Sequence, residues 1–135
     1  MLKATLFAIV VIFIVFIIWF FVPTFKHTYF KSKNGQVTIT SINYDGQTYI
    51  TYGKYERNRI PDNYIKPIYA GVNDGFEAIL YFEGDTAILY ARYGRFDSIG
   101  TNNKLKVKKF DRPGIDTLFV QMLNDSSGQY QLLHD

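Results

Sequence analysis

Apolar residues in this chain come first as one unbroken block and then as an alternation. Residues 4–22 read ATLFAIVVIFIVFIIWFFV, nineteen positions with no charge and with Thr5 as the only hydroxyl. As a helix this block is about 28 Å long, close to the hydrocarbon thickness of a bilayer. The rest of a 135-residue chain is too small to wrap so apolar a helix on every face. The block therefore predicts a transmembrane helix. It exceeds the apolar core of a cleaved signal peptide, roughly 7–15 residues, and ends in Trp19-Phe20-Phe21-Val22-Pro23 with no small-x-small cleavage site. An uncleaved anchor is expected, with Trp19 in the aromatic belt and Pro23 where the helix stops. Residues 1–3 form a short basic head and 23–35 a juxtamembrane connector.

From residue 36 to 135 the period changes to two, with Thr, Tyr, Val and Ile prominent, which predicts strands. In VTITSINYDGQTYITY, Asp45-Gly46 separates two alternating runs and suits a type I′ turn, whose two central residues need positive φ. Tyr44 then faces Gln47. Val37, Ile39, Ser41, Ile50 and Tyr52 share one side, and Thr38, Thr40, Ile42, Tyr49 and Thr51 share the other. A second hairpin, FEAILYFEGDTAILYARY, turns at Gly84-Asp85. Its expected pairs are Glu83 with Thr86, Phe82 with Ala87, Leu80 with Leu89, Ala78 with Ala91, Phe76 with Tyr93 and Glu77 with Arg92, the last an opposite-charge pair. Apolar residues on both faces put this hairpin at the centre of the sheet.

A third pair of runs flanks the turn cluster at 124–128. Ile115, Leu118, Phe119 and Met122 fall at i, i+3, i+4 and i+7, so a helix starting near Pro113 competes with a strand over 117–123. The β-prone Thr-Leu-Phe-Val and the hairpin-like Asn-Asp-Ser-Ser-Gly turn favour the strand. The expected fold class is mainly β: one N-terminal transmembrane helix and a small antiparallel domain, a meander of six or seven strands forming a barrel or sandwich. Residues 56–75, ERNRIPDNYIKPIYAGVNDG, resist the pattern because Pro61 and Pro67 oppose a regular central strand. So long a connection is the expected contact loop, and it carries Arg57, Arg59 and Lys66 beside Tyr64 and Tyr69, Tyr and Arg being the types that dominate binding hot spots.

Composition narrows the chemistry. There is no cysteine, hence no disulfide, thiolate ligand or thiol nucleophile. The two histidines, His27 and His134, lie far apart in sequence, and no G-x-S-x-G, H-E-x-x-H, calcium-loop or phosphate-loop spacing occurs. No enzyme activity and no cofactor or metal is expected. Lys104, Lys106 and Lys108 alternate with Leu105, Val107 and Lys109, which reads as a strand with one wet face. The net charge is only +3, so nucleic acid is not expected as a partner.

Three lysines, Lys26, Lys31 and Lys33, come after the block and one, Lys3, precedes it. By the positive-inside rule this favours a cytoplasmic domain, whereas a three-residue head suits a signal anchor that exports the chain on its carboxyl side. The exported side, periplasmic or extracellular, is the expectation carried forward, with the cytoplasmic side as the alternative. Trp19, Lys26, Lys31 and Lys33 are candidates for the membrane surface, where lysines meet anionic headgroups. The expected function is that of a membrane-anchored interaction module, an accessory or inhibitory subunit with the bilayer and another protein as partners. The alternative is a membrane-surface barrel carrying a lipid or other apolar ligand in a cavity lined by the second hairpin.

Overall fold

The structure, a computed structural model, describes residues 2–68, 75–100, 102–109 and 112–134. The first element, α1 (Leu2–Phe21), is helical through the apolar block. The side chains described on it are those of residues 5–20, and all of them are exposed. Among the described residues no helix is long and apolar enough to cross a membrane.

After α1 the chain is mainly β. The strands are β1 (Lys26–Lys31), β2 (Thr38–Tyr44), β3 (Gln47–Tyr52), β4 (Tyr64–Ile68), β5 (Glu77–Glu83), β6 (Thr86–Tyr93), β7 (Arg95–Ile99), β8 (Leu105–Lys109) and β9 (Tyr130–His134), with α2 (Arg112–Asn124) between the last two. They form two sheets, one in the order β1-β2-β3-β4-β7 and the other β8-β6-β5-β9. Gly94, at φ +87°, is the corner where the chain leaves β6 in one sheet and enters β7 in the other.

The two sheets stack as a sandwich. Val37, Ile39, Ile50 and Ile65 from the first meet Ala78, Leu80, Phe82, Leu89, Leu105 and Leu133 from the second in one buried cluster. Alternation along β2, β3, β5 and β6 dictates this, since each strand turns its apolar face to the same interior. The second sheet has an apolar outer face too. Ile79, Ile88 and Tyr90 are covered there by Ile115 of α2, with Leu118, Phe119 and Met122 packed around them.

Both tight turns form where the sequence puts them. Asp45 (φ +52°) and Gly46 (φ +69°) have the two positive angles of a type I′ turn, and Tyr44 faces Gln47. Gly84 (φ +60°) opens the second turn, and the pairs from Glu83/Thr86 to Ala78/Ala91 hold. Beyond them a bulge intervenes between Glu77 and Ala78, so that Glu77 faces Tyr93. Arg92 is the extra residue, so the register sets neither Glu77 opposite Arg92 nor Phe76 opposite Tyr93.

Several other expectations are corrected. Residues 115–123 are helix, not strand: their i, i+3, i+4, i+7 stripe fits the apolar outer face of the second sheet, Pro113 sits in the first turn where no N–H is needed, and the Thr117 hydroxyl donates to the Pro113 carbonyl. The hairpin expected across 124–128 is therefore a helix-to-strand loop. The Asp125 carboxylate holds that loop by accepting the N–H groups of Ser127, Gln129 and Tyr130. The order is not a pure meander, because β8 lies parallel to β6. Strand β1 occupies part of what was expected to be connector, and β4 runs through the expected loop with Pro67 inside it.

Candidate functional site

The outer face of the first sheet is divided in two. Residues 53–63 leave β3 and cross back over β1–β3 as a strap before entering β4. Side chains of the strands beneath hold it. Thr40 donates to the Gly53 carbonyl (2.7 Å) and accepts from the Tyr55 N–H (3.1 Å); Thr51 donates to the Asn63 carbonyl (2.8 Å); Tyr29 donates to the Tyr55 carbonyl. The His27 ring nitrogen Nε2 bonds the Arg57 carbonyl at 3.2 Å. On the strap Lys54 and Glu56 form an exposed ion pair, which raises the lysine and lowers the carboxylate from their ordinary pKa values. Thr40 and Ile42 below it are fully buried. The Tyr55 hydroxyl is buried with no hydrogen-bond partner among the described residues.

The other half of that face is uncovered. Register places Tyr64, Lys66 and Ile68 of β4 directly opposite Ile99, Asp97 and Arg95 of β7. Tyr64 meets the Tyr49 ring edge-on at 5.1 Å, and the Lys66 ammonium lies 5.5 Å from the centre of the same ring. Burial, with Tyr64, Asp45 and Tyr44 close by, pushes the Tyr49 phenol up, so it stays neutral over the physiological range. Ile68 and Ile99 remain exposed at the two ends of the patch. The result is a surface of aromatic, cationic, anionic and aliphatic groups side by side.

The expected contact residues are only partly gathered. Tyr64 and Lys66 come together around Tyr49. Arg57 is held over β1 by its carbonyl, and Arg59 is exposed farther along the strap. Tyr69 lies outside the described residues. The sequence reading missed Arg95, Asp97 and Ile99, because β4 and β7 are about thirty residues apart and no local spacing announces their pairing. The expected membrane-surface set is not gathered either: Trp19 is on α1, Lys26 opens β1, and Lys31 closes it about 17 Å along the strand, with Lys33 in the turn beyond.

Other surfaces offer less chemistry. A cleft of about 420 Å³ at the far end of β1 is lined by Ser32, Lys33, Asn34, Phe82, Gly84 and Gln129 and is open to solvent. Among the described residues no group of three or more His, Asp or Glu side chains is placed to hold a metal ion. Phe76, Leu80, Phe82 and Leu89 are buried against one another in the sandwich interior, where the carrier alternative looked for a cavity. No protein-family model matches the chain, and neither a curated protein nor a solved structure matches it.

Proposed function

We propose that this chain is a single-pass, uncleaved membrane protein whose β-sandwich, on the exported side, binds another protein and catalyses no reaction. One observation carries the reading. Every described side chain of α1 is exposed although nearly all are apolar, with Phe7, Ile12 and Trp19 at 72%, 68% and 77% exposure. Leaving such surface in water costs roughly 25 cal/mol per Å², and lipid removes that cost. The described side chains of α1, residues 5–20, are by themselves too short a run to cross a membrane, and the reading counts the whole backbone of the helix, 20 residues or about 30 Å.

The contact surface in this reading is the uncovered β4–β7 patch with the adjoining strap, where Tyr64, Lys66, Arg57 and Arg59 supply contact area and charge. The interior packing offers no observation in favour of a carrier of apolar ligands. A photoreactive residue in place of Tyr64, activated in intact membranes, should yield a discrete protein adduct, and Lys66→Glu should reduce its yield several-fold. A lipid adduct alone, or none, contradicts the reading.

A further inference from the structure

Among the described residues each sheet has two edge strands, and three of the four are guarded. The Gln131 amide of β9 donates to the Lys31 carbonyl of β1 at 2.7 Å, so these two edges tie to each other. Strand β8 carries Lys106, Lys108 and Lys109, charges of one sign that repel a copy of themselves. Strand β7 differs. Among the described residues it has a strand neighbour, β4, on one side only, and four of its five residues are exposed.

Its backbone is also turned for pairing. Pro67 has no N–H, so the bonds between β4 and β7 fall on the pairs Tyr64/Ile99, Lys66/Asp97 and Ile68/Arg95. Alternation then directs the N–H and C=O groups of Phe96 and Ser98 to the open edge. Arg95 and Asp97, two residues apart, stand together on the outer face.

We propose that two copies of this chain pair antiparallel through their β7 edges about a two-fold axis at Phe96. The charges choose that register. An axis at Arg95 or at Asp97 opposes that residue to itself across the pair, and an axis at Ser98 puts Asp97 opposite Ile99. An axis at Phe96 sets Arg95 of each copy opposite Asp97 of the other, twice, in the positions where side chains approach most closely. Across the joined face the row Lys66, Asp97, Arg95 of the second copy then alternates in sign, and the two uncovered patches become one. A five-residue edge binds weakly alone, so the inference rests on the membrane reading: copies anchored in one bilayer meet at a raised effective concentration.

The chain has no cysteine, so Asn103→Cys provides a single labelling site for energy transfer between full-length copies in phosphatidylcholine vesicles. Native copies should transfer above the level of random mixing. Arg95→Asp paired with itself and Asp97→Arg paired with itself should fall to the random level. Donor-labelled R95D mixed with acceptor-labelled D97R should recover the native transfer, because both contacts again join opposite charges; a folding defect could not be rescued this way. Native transfer at the random level, single reversals without effect, or no recovery in the mixture each overturns the proposal. Flotation of the same vesicles separates the readings: a chain that does not float overturns the anchor and the pairing together, and one that floats without transfer overturns the pairing alone.

Discussion

Gly100 ends β7 at φ +78°, and a Cβ there would overlap the Asn63 side chain and come within 3.2 Å of the Asn63 Cα. Gly46 has a similar φ, +69°, yet a Cβ on it would meet nothing within 4 Å. Backbone strain is thus common to both and crowding belongs to one. Gly46→Ala should cost about 1 kcal/mol, and Gly100→Ala at least twice that, about 2–4 kcal/mol. Denaturant titration of the detergent-solubilised chain measures the difference, and equal losses would deny the packing of Asn63 against β7. A second residue-scale effect depends on pH. Hydrogen bonds from Ser127, Tyr130 and Gln129 hold the Asp125 carboxylate below its ordinary value of 3.8. A carboxylate depressed in the folded state stabilises fully above its unfolded pKa and loses that contribution as pH falls through the folded one. Asp125→Asn should therefore lower stability at pH 7 and converge with the native chain below pH 3.8. A gap that persists at low pH would assign the effect to shape instead of charge.

At the scale of elements, α2 is the clearest contest between two patterns. As a strand, residues 117–123 would bury alternate positions, Val120 among them; as a helix they bury Ile115, Leu118, Phe119 and Met122. Ile115 is 4% exposed and Val120 is 55% exposed. Ile115→Ala should cost about 2–4 kcal/mol and Val120→Ala less than about 0.5 kcal/mol, read from the denaturation midpoints of the two variants; the reverse order would reinstate the strand. The helical stripe was visible in the sequence, and a β-prone run with a hairpin-like turn obscured it. The face that selects it, Ile79, Ile88 and Tyr90, is supplied by strands about thirty residues earlier. The two tight hairpins were legible nearly to the last pair because turn chemistry and alternation agree within about sixteen residues. Arg92 escaped because a bulge consumes one residue and leaves no compositional mark. Strands β1, β4 and β7 escaped because each is short, charged or interrupted by proline, and each becomes a strand only through its neighbour.

For the whole molecule the same division holds. The apolar block and the inward faces of two hairpins imply an N-terminal helix and a small β-domain, and the structure has both. The sandwich order, the strap and the β4–β7 patch depend on pairings distant in sequence. Of the expected contact residues Tyr64 and Lys66 converge, since they are two apart on one strand face; Arg57 and Arg59 sit on the strap, where alternation has no authority. Everything proposed about location depends on what solvates α1. The most direct measurement is centrifugation of the full-length chain on a density gradient with phosphatidylcholine vesicles, beside the same chain in detergent-free buffer. The account predicts that the chain rises with the vesicles, resists extraction at high pH and aggregates without lipid or detergent. A chain that stays monodisperse in buffer and remains below the vesicle layer would contradict it.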